Sequence, residues 1–318
     1  MHRFQRLFGA LVALLAVAAT DPGVAAAQEI DSASSDTLVR ALGLPEVTVA
    51  VGPDGVRAPA DLPTGPHVVT LRAEAEFVGY LNVVRMPDGL SDEERQRQAY
   101  AAGVEDMPQP GWTYFGGTNT FGPGEPATFV VDLDSGDYHW AASYYVPNQD
   151  LPEGQPFEET FHFAPLTVGE AAGGAGEATP APVVGAEVPA TVRLEMTDEL
   201  RYLVSPDPVP AGPQIWEIVN TGQHHAHHVV MMRVPDGTTA ERIVGEFTSL
   251  MSGSPPAGEP LMAQTVGVAY AALQSGGATT WVELDLGPAT YAVVCFILDP
   301  ATGQPHLTSG MATVFEVA

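Results

Sequence analysis

Residues 291–311 read YAVVCFILDPATGQPHLTSGM and contain three side chains that bind soft metal ions: Cys295, His306 and Met311. A thiolate, imidazoles and a thioether form the ligand set that selects copper in a trigonal site of two His and one Cys, with a weak axial Met. The cysteine and the histidine stand at the two ends of one loop, and the methionine follows shortly after, so one segment can supply three ligands. A second histidine must then come from a distant strand.

Several candidates for that histidine lie upstream. Residues 220–230 read NTGQHHAHHVV. In an extended strand His225 and His227 lie on one face, whereas His224 and His228 lie on the other. An exposed polar turn would explain the cluster without any metal, and His225 with His227 could instead hold a second, weaker metal. The residues alone leave the choice open.

Both stretches resemble the cupredoxins, the family of plastocyanin-like blue copper proteins. In that family a histidine follows an Asn-containing turn, as His227 follows Asn220, and an aromatic strand leads to a cysteine and then to His-x-x-x-x-Met, as at Cys295, His306 and Met311. The resemblance implies one type 1-like copper per chain. It also implies His227, Cys295 and His306 as equatorial ligands and Met311 as the axial ligand.

The spacing of these residues departs from the family in one respect. Plastocyanin-like proteins place only a few residues between the cysteine and the second histidine, whereas here residues 296–305 separate them. Asp299-Pro300 and Gly303 allow this insert to form a hairpin that returns His306 to the site. The alternative is a vestigial site with a buried free thiol. His228 is the second candidate for the first histidine ligand.

The domain that carries these residues has an earlier copy in the chain. Residues 65–71 (GPHVVTL) resemble residues 212–218 (GPQIWEI), and residues 84–89 (VRMPDG) resemble residues 232–237 (MRVPDG), at offsets of 147 and 148. Recurrence in the same order indicates a tandem duplication. At the positions of the metal-binding residues the first copy has Gly79, Ala142, Glu153 and Glu158. Two carboxylates cannot reproduce a soft ligand set, so we expect a degenerate domain without metal ligands.

The pattern of apolar residues predicts an all-β fold. Val192, Leu194 and Met196 alternate with polar residues, and 33 Gly and 29 Pro punctuate short runs, which is typical of a β-sandwich. One helix follows the Pro-Asp-Gly turn of each copy, over residues 92–102 and 239–251, with a capping box from Ser91 and from Thr238. Together with the resemblance, this predicts two tandem Greek-key cupredoxin-like β-sandwiches, each with one short inserted helix. The expected segments are a signal peptide (1–27), a degenerate first domain (45–168), a Gly/Ala/Pro linker (169–187) and a copper-binding second domain (188–318).

Charge and targeting signals restrict the partners. The chain has 12 basic residues, all of them Arg, against 39 acidic residues, for a net charge of −27. This field repels nucleic acid and anionic lipid. Solubility, for example in a salty habitat, is enough to explain the charge, and guidance of a cationic redox partner protein is the alternative. An Arg-containing start, an apolar run and Ala25-Ala26-Ala27 predict a signal peptide and hence a periplasmic or extracellular protein. No later apolar run is long enough for a membrane span. The single cysteine excludes an internal disulfide.

Electron transfer by a copper bound in the second domain is the leading hypothesis for function. It requires a Cys295 thiolate bond and an exposed histidine edge. The alternatives are copper sequestration or delivery, or a structural exported β-sandwich protein with a vestigial site. We do not expect an enzyme, because two-domain copper reductases commonly link two copper centres through a histidine beside the copper cysteine. Here that neighbour is Phe296.

Overall fold

The computed structural model describes residues 37–145, 160–169, 188–254 and 259–318. The predicted signal peptide, linker residues 170–187, and Glu153 and Glu158 lie outside the described residues. Within them the chain is mostly β, with two tandem β-sandwich halves, each with one short inserted helix. This confirms the predicted fold class.

The described residues of the N-terminal half form two helices and nine strands. Their bounds are α1 Thr37–Ala41, β1 Glu46–Gly52, β2 Gly55–Arg57, β3 Asp61–Pro63, β4 Gly65–Ala73, β5 Val78–Arg85, α2 Asp92–Gly103, β6 Thr113–Asn119, β7 Pro126–Leu133, β8 Gly136–Tyr145 and β9 His162–Gly169.

The described residues of the C-terminal half follow a similar order, with one α-helix, eight strands and two short 3₁₀ helices. Their bounds are β10 Val192–Thr197, β11 Arg201–Ser205, β12 Gly212–Asn220, β13 His227–Arg233, α3 Ala240–Met251, a 3₁₀ helix Leu261–Gln264, β14 Val266–Gln274, β15 Thr279–Leu286, β16 Ala289–Val294, a 3₁₀ helix His306–Ser309 and β17 Ala312–Val317.

Both sheets run continuously through the two halves. One sheet has the order β11-β10-β12-β15-β7-β4-β1-β2, and the other has the order β17-β16-β13-β14-β6-β5-β8-β9-β3. The halves join where β15 pairs antiparallel with β7 and where β14 pairs antiparallel with β6. The N-terminal half is therefore fixed against the C-terminal half by backbone pairing in both layers.

Burial follows the position of each strand in its sheet. In β10, near an edge, Val192, Leu194 and Met196 are buried and the residues between them are partly exposed, as the alternation predicts. The central strands β5 and β13 are buried along almost their whole length, because other elements cover both of their faces. One hydrophobic core runs between the sheets through both halves.

The two inserted helices match the predicted ranges, but only one predicted capping box is confirmed. Ser91 and Glu94 exchange hydrogen bonds at the start of α2. At the start of α3 the N-cap is Thr239, whose hydroxyl accepts from the N–H of Arg242. Thr238 instead donates to the carbonyl of Pro235, so the predicted pairing of Thr238 with Glu241 is wrong. None of the helices in the described residues is long and apolar enough to cross a membrane.

Candidate metal centre

His227, Cys295 and His306 come together at one end of the C-terminal sandwich. The Nδ1 atoms of the two histidines lie 3.1 Å apart, and the Cys295 Sγ lies 3.7 Å from the His306 Nδ1. One ligand atom from each residue lies within 4.8 Å of the others, and all three side chains are buried. Among the described residues, no other group of three His, Cys, Asp or Glu side chains has this arrangement.

Two adjacent strands and one loop deliver these side chains. His227 is the first residue of β13, Cys295 follows the last residue of β16, and these strands pair in register. Asn220 holds the turn before β13, because its Nδ2 donates to the carbonyls of His225 and Gln274. The polar residues between β12 and β13 therefore fix the point at which β13 begins.

The insert after Cys295 is a hairpin, as the sequence predicts. The N–H of Asp299 donates to the carbonyl of Gln304 at 2.9 Å, and the N–H of His306 donates to the carbonyl of Ile297 at 2.9 Å. The N–H of Leu307 then donates to the carbonyl of Cys295 at 2.8 Å. The long spacing between Cys295 and His306 is thus absorbed by a hydrogen-bonded hairpin, and His306 returns to the cysteine.

Met311 lies beside the cluster. Its side chain is buried, its N–H donates to the carbonyl of His306 at 3.0 Å, and its carbonyl accepts from the N–H of Cys295 at 3.2 Å. Gly310, at φ 107°, makes the left-handed turn that ends the short 3₁₀ helix before it. The backbone of Met311 therefore contacts two of the three clustered residues.

The remaining histidines of the 220–230 stretch have other surroundings. His228 lies on the opposite face of β13, and its Nε2 accepts from the N–H of Phe296 at 2.9 Å. His224 is exposed and pairs with Asp198. The His225 ring is half-buried, with its centroid 5.3 Å from that of His306. The structure thus brings His227, the preferred residue, into the cluster and leaves His228 out of it.

Burial sets the protonation of the cluster. It lowers the pKa of His227 to about 3 and that of His306 to about 4, and neighbouring histidines add to both shifts. Burial raises the pKa of Cys295 to about 12, although amide groups and the Tyr202 hydroxyl favour the thiolate. At neutral pH the cluster therefore consists of two neutral imidazoles and one protonated thiol.

Two of the three donor-to-donor distances meet the limits for a single bound metal ion, and the third is below 4.8 Å. Metal–nitrogen bonds of about 2.0 Å and metal–sulfur bonds of about 2.3 Å keep two ligand nitrogens within about 4.1 Å, and nitrogen and sulfur within about 4.4 Å. The observed 3.1 Å between the histidine nitrogens and 3.7 Å between Cys295 and His306 satisfy both limits. A thiolate with two imidazoles is a soft donor set that suits copper or zinc.

Neither clustered histidine has the exposed edge that direct electron exchange would use. His227 is 0% exposed and His306 is 1% exposed. The half-buried His225 ring contacts the rings of both, at centroid distances of 6.1 and 5.3 Å. His225 is thus a partly exposed ring next to both clustered histidines.

Two residues near the cluster were not identified from the sequence. Tyr202, in β11, donates its hydroxyl to the carbonyl of His228 and favours the Cys295 thiolate. Asp106, in the N-terminal half, lies with its Oδ1 3.7 Å from the His228 Nδ1. Tyr202 occupies a buried position in a strand, which has the appearance of an ordinary core residue. Asp106 reaches the site only through the pairing of the two halves.

Similar solved structures are auracyanins and copper enzymes, at low similarity. An auracyanin from Roseiflexus castenholzii is 22% identical over 40% of this chain and 94% of its own, with a TM-score of 0.26. Auracyanin A from Chloroflexus aurantiacus is 14% identical over 40% of this chain and 96% of its own, with a TM-score of 0.27. A copper-containing nitrite reductase from Thermus scotoductus is 12% identical over 86% of this chain and 60% of its own, with a TM-score of 0.22.

No protein-family model and no curated protein matches the sequence. The metal chemistry of this chain is therefore inferred from its own donor atoms.

Proposed function

We propose that this chain is an exported copper protein that transfers single electrons. His227, Cys295 and His306 would hold one copper ion, with Met311 as the axial ligand. The observation that carries the proposal is the convergence of one thiol and two imidazole nitrogens within 4.8 Å in a buried site. Copper bound by such a set cycles between Cu(II) and Cu(I).

The surroundings of the donors favour electron transfer over metal delivery. Backbone hydrogen bonds hold the segments of Cys295, His306 and Met311 to one another, and such a fixed frame keeps the donor positions similar in both oxidation states. Burial of all three clustered donors would slow exchange of the metal with another protein. The half-buried His225, at 5.3 Å from the His306 ring, would form the end of the path at the protein surface.

The charge of the chain favours a cationic redox partner. A net charge of −27 accelerates encounter with a basic protein, and this acceleration falls as salt is added. A periplasmic or extracellular location, proposed from the N-terminal sequence, would bring the chain into contact with exported partners.

The test is a visible absorption spectrum of the full mature chain after addition of one equivalent of Cu(II). We expect an intense thiolate-to-copper band. The band should be lost in Cys295→Ser and retained in Ala142→Ser, the variant at the corresponding position of the N-terminal half. An unchanged spectrum on copper addition would overturn the proposal, and a band that survives in Cys295→Ser would exclude the thiolate as its source.

Proton release gives a second, independent readout. Because burial raises the pKa of Cys295 to about 12, thiolate ligation at pH 7.5 must displace one proton per copper into weakly buffered solution. Cys295→Ser should release less, since a serine hydroxyl is a poor ligand. Tight binding without proton release in the natural chain would indicate a site built on histidines alone, as copper sequestration or delivery could use.

A further inference from the structure

A loop of the N-terminal half contacts the segment that follows Cys295. Between α2 and β6 the backbone of Asp106 adopts φ 53°, a conformation that Asp and Asn tolerate better than most residues. Asp106 is only 6% exposed, which is a costly position for a carboxyl group. Burial raises its pKa to about 7.

Asp106 is connected to this segment in two ways. Its carbonyl accepts from the N–H of Leu298 at 2.8 Å. Its carboxylate lies 3.7 Å from the His228 Nδ1, and the His228 Nε2 accepts from the N–H of Phe296 at 2.9 Å. Because Nε2 is the acceptor, the hydrogen of the neutral ring is on Nδ1, the nitrogen closer to Asp106. At 3.7 Å the contact is electrostatic rather than a hydrogen bond.

Hydrogen bonds therefore hold the backbone of residues 295–298 on two sides, and successive residues bond to opposite sides. On one side, Cys295 donates its N–H to the Met311 carbonyl and accepts from the N–H of Leu307, and the Ile297 carbonyl accepts from the N–H of His306. Phe296 and Leu298 direct their N–H groups to the other side, toward His228 and Asp106. The second side thus depends on a residue of the N-terminal half.

We propose that Asp106 is a positioning residue for Cys295, so that the N-terminal half, which has none of the clustered donors, helps to build the metal site. The carboxylate favours the His228 tautomer that has its hydrogen on Nδ1, and this tautomer leaves Nε2 free to hold Phe296, the neighbour of Cys295. The role in copper binding rests on the proposed function, whereas the position of the thiol can be tested without copper.

Two substitutions separate the carboxylate from the backbone contact. Asp106→Gly removes the side chain but keeps the positive φ and the carbonyl that binds Leu298. Asp106→Asn keeps an acceptor oxygen and tolerates the same φ. Leu200→Gly is the matched control, because Leu200 is the other non-glycine residue of the described chain with positive φ, at 56°.

The first measurement is the reaction rate of Cys295 with an aromatic disulfide reagent in copper-free protein. We expect a several-fold higher rate in Asp106→Gly than in the natural chain, because a less firmly held backbone at Phe296 exposes the buried thiol more often. Asp106→Asn should stay close to the natural rate, and so should Leu200→Gly. Low urea concentrations distinguish local displacement of the Cys295 segment from global unfolding of Asp106→Gly. The reaction rate of this variant should not change with urea if the displacement is local, because little surface is exposed, whereas it should rise with urea if the thiol reacts through global unfolding.

The second measurement is the visible spectrum of each variant with one equivalent of Cu(II). If the natural chain gives the thiolate band, Asp106→Gly should shift or weaken it while Leu200→Gly leaves it unchanged. The positioning role would be overturned if Asp106→Gly matched the natural chain in both the reaction rate of the Cys295 thiol and the thiolate-to-copper band. Absence of the band from the natural chain would instead defeat the copper proposal, and the thiol rates would still decide the role of Asp106.

Discussion

The two halves of the molecule share the same strand pairing. They differ in the side chains at the end of the sandwich that holds the metal centre in the C-terminal half. In the N-terminal half β5 pairs with β8, so that Val84 lies opposite His139. In the C-terminal half β13 pairs with β16, so that Met232 lies opposite Ala292. Aligning Val84 with Met232 therefore places Ala142 at the position of Cys295, as the sequence alignment predicts. The same alignment places Gly79 at the position of His227.

The N-terminal equivalent of the metal centre is packed with apolar side chains. A Cβ atom on Gly79 would meet Ala73 and Val51 at 3.1 Å and Leu71 at 3.6 Å, and Ala142 is fully buried. One pair of strands can therefore end either in a closed apolar core or in a cluster of donors. Within the described residues, the difference lies in a few side chains and not in the strand pairing.

Acidification should have the largest effect. The histidines with the largest shifts lie in the C-terminal half, although burial also lowers the pKa of His67, His139 and His162 in the N-terminal half. Burial lowers the pKa of His227 and of His228 to about 3 and that of His306 to about 4. Below about pH 6.5 the unfolded chain binds protons that these folded groups reject, so the stability present at neutral pH is lost as the pH falls. Each histidine contributes about 1.4 kcal/mol per pH unit. The raised pKa of Asp106, about 7, acts in the opposite direction and offsets about one of the three.

Urea unfolding of the copper-free chain at pH 7, 5.5 and 4.5 measures this loss. His228→Tyr gives one histidine position the residue of its N-terminal counterpart, Tyr80, and should reduce the slope by about one proton. A free energy of unfolding that stays constant from pH 6.5 to 4.5 would mean that the three histidines are not buried as neutral groups.

Gly79→His tests whether the N-terminal half lacks only the ligands. We expect a loss of about 3 kcal/mol or more, because the ring must displace Val51 and Ala73 and bring an unpaired polar group into the core. Urea unfolding at pH 7.5 measures the loss. His227→Gly is the mirror variant and should remain folded without forming the thiolate band. A Gly79→His chain of natural stability would show that the N-terminal end can open to accept a donor.

Tyr202→Phe tests a contact that belongs to the metal-binding half. Loss of the hydroxyl removes the bond to the His228 carbonyl and should lower the free energy of unfolding by about 1–2 kcal/mol. The hydroxyl also favours the Cys295 thiolate, so its loss should make the sulfur a stronger donor and lower the reduction potential of bound copper.

Two further tyrosines serve as controls for Tyr202, one in each half. Tyr138 and Tyr291 occupy matching positions, and each donates its hydroxyl to the carbonyl four residues earlier. Their Phe variants should lose similar stability without any change in potential. A potential that is unchanged in Tyr202→Phe would remove Tyr202 from the set of residues that tune the site.

The sequence predicts those features that depend on local patterns. Alternation in residues such as 192–196 predicts half-buried strands, the repeat predicts matching halves, and Asp299-Pro300 predicts a hairpin that returns His306. The two faces of an extended strand also separate His227 from His228. These predictions succeed because strand period and turn chemistry are properties of short segments.

Features that depend on how the halves meet could not be predicted. The contact of Asp106 with the Cys295 segment arises from the pairing of β6 with β14 and of β7 with β15, which places distant loops together. The burial of His306 under His225 likewise depends on the final path of two loops. The error at Thr238 has a different cause: two adjacent hydroxyls can cap the same helix, and the backbone geometry of the preceding turn selects Thr239.

The smallest expected effect compares the two inserted helices. The α2 cap has reciprocal bonds, with Ser91 accepting from the N–H of Glu94 and Glu94 accepting from the N–H of Ser91. The Thr239 side chain accepts from the N–H of Arg242 and also bonds the Glu241 carboxylate, but it has no reciprocal bond from residue 242 to the N-cap backbone. Ser91→Ala should therefore cost about 1 kcal/mol and Thr239→Ala about half as much, measured by urea unfolding.

The packing of the two helices also predicts that α2 depends more on its N-cap than α3 does. The buried residues of α2 are Ala99 and Ala102, whereas α3 buries Ile243 and Phe247, and the Phe247 ring lies 4.9 Å from that of Phe296. A helix that buries little apolar surface depends more on its ends, because tertiary packing supplies most helical stability in proteins. A larger loss for Thr239→Ala than for Ser91→Ala would mean that the hydrogen bond at the start of α3 also supports the packing of Phe247 beside the cysteine loop.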